Sequence, residues 1–81
     1  MKMFKYEVTV TNDSGDEVIV KTNNPRLAVE NYAEAGNSGL SVILIDGTTG
    51  EVLAHENDPT CTDYRTPEFW DMFLDYLAGR L

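Results

Sequence analysis

Phe4-Lys5-Tyr6-Glu7-Val8-Thr9-Val10 sets an apolar side chain at every second position, with polar residues between. Successive side chains of an extended chain point to opposite faces, so this alternation predicts a strand that buries Phe4, Tyr6, Val8 and Val10. The next residues supply its partner. Asn12-Asp13-Ser14-Gly15-Asp16 joins side chains that hydrogen-bond their own backbone to a glycine free to take positive φ, which makes a hairpin turn, and residues 17–22 return as a second strand.

Beyond the hairpin, Asn24 offers an N-cap oxygen and Pro25 a first-turn residue that needs no donor. These predict a helix over about residues 25–35, with Gly36 as its left-handed stop. Residues 40–45 are nearly continuous and β-branched, Asp46-Gly47-Thr48-Thr49-Gly50 is a turn cluster, and residues 51–56 read as the returning strand. Residues 57–65 lack any period and hold Pro59, so they read as an irregular connection. Thr66-Pro67-Glu68 then starts a second helix that runs to about residue 78, where Gly79 ends it.

Hairpin, helix, hairpin, helix is the order of an α+β fold, a two-layer ββαββα sandwich. It predicts a four-stranded, mainly antiparallel sheet with both helices on one face. If the first helix returns the chain so that the third strand lies beside the first, the spatial order is 2-1-3-4 and every pair is antiparallel. Placing the third strand beside the second instead needs a right-handed parallel crossover. The 2-1-3-4 order is preferred because it puts the best-patterned strand inside the sheet. With Phe4, Tyr6, Val8, Val10, Val18, Val20, Val42 and Leu44 facing the helices, Ile19, Ile43 and Ile45 point the other way and meet solvent or a partner.

Eighty-one residues with 42% hydrophobic content support one core, hence one domain over residues 1–81 with a thin stability margin that a partner or a dimer interface would widen. Fourteen acidic against six basic side chains give a net charge of −8, a field that repels nucleic acid and anionic membranes. Cys61 is the single cysteine and cannot close an internal disulfide, so no oxidising compartment is required. Lys5 and Glu7 interrupt the start where a signal peptide needs an apolar run, and the longest apolar stretch, residues 42–45, is far short of a membrane span. These features predict a cytoplasmic protein.

Residues with reactive chemistry are few and poorly spaced. His55 with Cys61 offers an imidazole and a thiol but no third, orienting group, and adding Asp58 and Asp63 yields no zinc-ligand spacing. The acidic turn at residues 12–17 has Asn23 where a calcium loop needs its twelfth-position glutamate. Glycines 36, 39, 47 and 50 form no phosphate-binding loop. No catalytic group, cofactor or metal is expected.

The second helix is the most informative segment. Phe69, Met72, Phe73, Tyr76 and Leu77 make a core stripe at helical spacing, whereas Trp70, Leu74 and Leu81 lie off it, with Glu68, Asp71 and Asp75 around them. An aromatic anchor in an acidic ring suits an apolar groove with a basic rim. The candidate partner-binding residues are therefore Trp70, Leu74, Asp71 and Asp75 on the helix, with Ile19, Ile43 and Ile45 on the sheet. They predict a small acidic non-catalytic binding module, an adaptor, accessory subunit or inhibitor, whose partner is a protein with a basic surface or a second copy of the chain. One alternative is a nucleic-acid mimic presenting Glu30, Glu34, Asp71 and Asp75 in place of phosphates. Another is a self-associating structural domain, and an enzyme using His55 with Cys61 has the least support in the sequence.

Overall fold

β1 (Tyr6–Thr11) lies inside the sheet, flanked on one side by β2 (Glu17–Thr22) and on the other by β3 (Ser41–Asp46). The computed structural model describes residues 3–60 and 63–81, which leaves Cys61 outside the described residues. The remaining elements are α1 (Pro25–Asn37), β4 (Val52–Glu56), β5 (Tyr64–Arg65) and α2 (Pro67–Leu77). The sheet has five strands in the order β2-β1-β3-β4-β5, and each neighbouring pair is antiparallel. The order expected for four strands is thus correct, with one strand added. β5 falls at the end of the segment that reads as irregular, because two residues are too short to display an alternating pattern.

One face of β1 and β3 supplies the core. Val8 stands opposite Val20 and Leu44, and Val10 opposite Val18 and Val42, so these side chains share a face. Tyr6, Val8, Val42 and Leu44 pack with Ala28, Val29 and Tyr32 of α1 and with Phe69 and Met72 of α2 in one cluster, which places both helices on the same side. The Tyr32 and Phe69 rings meet at 4.7 Å between centroids, inclined by 58°. Principal dimensions of 34 × 33 × 17 Å leave depth for one sheet and one helical layer.

A register shift between Leu44 and Ile45 breaks the β3–β4 ladder, and consecutive residues Leu53 and Ala54 are both buried, which strict alternation does not permit. Each helix opens as its sequence requires: the Asn24 side chain accepts from the Arg26 N–H, and Thr66 Oγ1 accepts from the Phe69 N–H at 3.2 Å. α1 ends later than expected. Gly36 stays within the helix, where a Cβ would collide with the Glu56 carboxylate, and the left-handed residue is Gly39 at φ +77°. Asn57 Nδ2 donates to the Gly36 and Leu40 carbonyls and so ties the end of β4 to the end of α1.

Asp46 organises the β3–β4 turn. Its Oδ1 accepts from the Thr48 hydroxyl at 2.6 Å and the Thr48 N–H at 2.9 Å, and Oδ2 meets Lys5 Nζ at 2.6 Å. The hydrogen bond from Lys5, followed by the two from Thr48, holds this buried carboxyl well below the usual carboxylate range.

Candidate functional site

Because β1 buries its even-numbered side chains, its odd-numbered ones emerge on the face that no helix covers. Thr9 lies opposite Ile19 on one side and Ile43 on the other, Ile43 lies opposite His55, and His55 lies opposite Tyr64. One cross-strand row, Ile19–Thr9–Ile43–His55–Tyr64, therefore crosses all five strands over a distance of about 19 Å, four strand spacings. The adjacent row is Lys21–Glu7–Ile45–Val52. Ile19 is 50% exposed and Tyr64 47%, at opposite ends of the first row. The three isoleucines expected on this face all lie there, with Ile19 and Ile43 flanking Thr9 and Ile45 one row away.

The β4–β5 end of this face is concave. Ile43, Val52, His55 and Tyr64, with the carboxylates Glu51 and Asp58, line a shallow depression of about 530 Å³. The His55 and Tyr64 rings stack at 5.5 Å with 27° between their planes. The Asp58 carboxyl is held below its ordinary value, first by the Thr60 N–H and then by the Thr60 hydroxyl, with the nearby His55 adding to the effect. Asp58 thus keeps its charge at the edge of an apolar hollow.

On the helical side, α2 presents Trp70, Leu74 and Leu77 to solvent at i, i+4 and i+7. Leu77 is 64% exposed and Leu81 packs against the core, the reverse of their expected places. Helix α2 ends at Leu77, and the chain turns back at Gly79 with φ +76°, which brings Leu81 round to the core. Trp70 stands edge-on to Phe73 at 5.9 Å and lies under the Arg65 guanidinium, 5.4 Å from its ring centroid. Arg65 is held in turn by Glu56 at 2.8 Å. The ring around Trp70 therefore contains a cation, and Asp75 is paired with Arg80 at 2.9 Å. This side is less uniformly acidic than the sequence implies.

Between the two helices, Tyr32, Glu56, Arg65, Phe69, Trp70 and Phe73 line a cavity of about 180 Å³. The Tyr32 hydroxyl is buried beside Arg65 without a well-formed hydrogen bond, and burial pushes it up to about 12. Of the carboxylates considered for phosphate mimicry, Glu30 and Glu34 lie on α1 and Asp71 and Asp75 on α2. Among the described residues, no three side chains of metal-ligating type gather around one point.

Sequence reasoning misses His55 and Tyr64 as members of the sheet-face row. His55 draws notice only for its reactivity, and Tyr64 falls in the segment without periodicity; pairing between β4 and β5 is what joins them. No protein-family model, curated protein or solved structure matches this chain. Among the described residues, no helix is long and apolar enough to cross a membrane.

Proposed function

We propose that this chain is a small acidic binding module without catalysis, acting in the cytoplasm, whose uncovered sheet face receives a protein partner with a basic surface. The observation that supports this reading is the Ile19–Thr9–Ile43–His55–Tyr64 row, continuous across five strands and left open by the helices. Ile43, Val52, His55 and Tyr64 lining one depression, with Glu7, Glu51 and Asp58 beside them, match the usual arrangement of an interface, apolar surface bordered by polar groups. The net charge of −8 gives that rim a long-range field that favours basic surfaces and disfavours nucleic acid. Trp70 and Leu74, the other candidates, lie on the opposite layer and form a separate surface.

The test is a quantitative pull-down from the native host with wild type, Ile43→Lys and Leu77→Lys as immobilised baits, followed by binding kinetics on the captured protein. The expected result is a basic protein held by wild type and Leu77→Lys and lost with Ile43→Lys, with an association rate that slows as salt rises. Equal capture by folded Ile43→Lys would remove the sheet face from the reading, and a salt-independent association rate would remove the charge.

A further inference from the structure

We infer that β2 is a self-complementary edge through which two copies of the chain pair, antiparallel, about a two-fold axis at Ile19. This interface uses the edge of the sheet rather than the partner face proposed above, and meets that face at Ile19 and Lys21. Among the described residues, β2 has a neighbour on one side only, and it is the long open edge of the sheet, six residues against two in β5. An edge strand of that length with apolar side chains is a template for another strand unless something blocks it.

Hairpin geometry decides which backbone groups are free. The Asn12 N–H donates to the Asp16 carbonyl at 3.0 Å, which makes residues 12 and 16 a hydrogen-bonded pair. In the alternating antiparallel ladder, Val18, Val20 and Thr22 then exchange bonds with β1, while Glu17, Ile19 and Lys21 turn their N–H and C=O groups outward. A second β2 can use those groups in full if Ile19 faces Ile19 of the second copy. Glu17 then stands opposite Lys21 of that copy, and Lys21 opposite its Glu17.

Charge and packing both select that register. Glu-Val-Ile-Val-Lys, residues 17–21, reads as its own charge complement when reversed, so two opposite-charge pairs flank the Ile19 contact on the sheet's open face. Sliding the pairing by two residues in either direction sets the charged side chains against uncharged ones. On the other face, Val18 meets Val20 of the second copy twice. Val18 is 62% exposed in the single chain, beside a shallow trough lined by Val10, Val20, Ala35 and Leu40, and the second strand covers it. The same two charges deter pairing with an arbitrary strand, which would leave them unmatched. Such a contact is isologous and closes on itself, which gives a dimer rather than a fibre.

The test is sedimentation equilibrium on wild type, Glu17→Lys, Lys21→Glu and an equimolar mixture of the two variants, from about 1 µM to about 1 mM because the contact is small. Each variant alone places like charges opposite each other at both pairs, while the mixture restores opposite charges at both. Wild type and the mixture should dimerise, and each variant alone should show a dissociation constant raised about tenfold or more. Net charge acting alone predicts the opposite for Glu17→Lys, which carries −6 instead of −8 and should then associate more strongly. Lys21→Glu also sets a carboxylate opposite Glu7 within the chain, so its folding is checked by circular dichroism. Ile19→Pro gives a further arm, since a proline is tolerated where the N–H faces away from the ladder and it ends pairing there. A monomeric wild type over the whole range, Glu17→Lys associating as well as wild type, or a folded Ile19→Pro that still dimerises would each overturn the proposal.

Discussion

Raising salt should strengthen the β2 dimer, and the size of the effect can be worked out from charge and dimensions. Each copy carries −8, and pairing β2 with β2 sets the centres of the two five-stranded sheets five strand spacings, about 24 Å, apart. Coulomb repulsion between two such charges in water is about 11 kcal/mol before screening. With Debye lengths of about 30 Å at 0.01 M and 10 Å at 0.1 M, it falls to about 5 and about 1 kcal/mol. The gain on going from low to moderate salt is therefore about 4 kcal/mol. Screening also weakens the two Glu17–Lys21 contacts, by up to about 1 kcal/mol together. The balance of about 3 kcal/mol predicts a dimer dissociation constant roughly a hundredfold lower at 0.1 M than at 0.01 M. Sedimentation equilibrium at the two salt concentrations reads this directly. A dissociation constant that is unchanged or higher at 0.1 M would refute the reasoning, because the net repulsion would then not be the controlling charge effect.

Two further predictions concern the scaffold that holds these surfaces. Thr66→Val keeps the volume of the buried N-cap and removes the oxygen that accepts from Phe69, so it should cost about 1 kcal/mol, a fall in Tm of about 4–8 °C, while Thr66→Ser stays near wild type; equal melting of Thr66→Val and wild type refutes the cap. Asp46 is depressed in the folded chain, so its contribution is present above the ordinary carboxylate range and is lost as pH falls toward the folded value. The stability gap between wild type and Asp46→Asn should therefore narrow from about pH 5 to pH 2, measured by urea unfolding, and a gap constant over that window counts against the assignment.

The alternation of residues 4–10 reveals the sheet because a strand buried on one face has a period of two, and everything packed against it inherits that period. The strand order is readable for a related reason: it makes every neighbouring pair antiparallel and keeps β1 interior. What escapes the sequence arises from tertiary geometry. β5 is two residues long and exists because β4 offers it an edge. The bulge at Leu44/Ile45 lets Leu53 and Ala54 both point inward, and no local pattern in residues 51–56 announces it. Gly36 reads as a stop because glycine favours left-handed backbone, yet its role is close approach to Glu56, a contact between residues 20 positions apart. Leu77 and Leu81 exchange places because the last helix ends at residue 77 and the chain turns back. On the sheet face, the isoleucines are legible from the period of two, whereas His55 and Tyr64 join them through a pairing that only the folded chain makes.

The open sheet face and the open β2 edge have one cause. Five strands at about 4.8 Å make a sheet roughly 24 Å wide, and two helices about 10 Å across cover roughly 20 Å of one face. α1 lies over β1, β2 and β3, and α2 lies beside α1 over β4, so the deficit falls at the outer margin of β2, where Val18 is uncovered. Among the described residues, no element remains for the second face. These elements therefore leave apolar surface at an edge and on a face, and the two meet at Ile19, which ends the cross-strand row and also marks the proposed two-fold axis. Pairing at β2 would join the row of one copy to the row of the other through the Ile19 contact, without covering Ile43, His55 or Tyr64. Dimerisation and partner binding are then compatible: the first closes the edge, and the second uses a face that the dimer doubles in length.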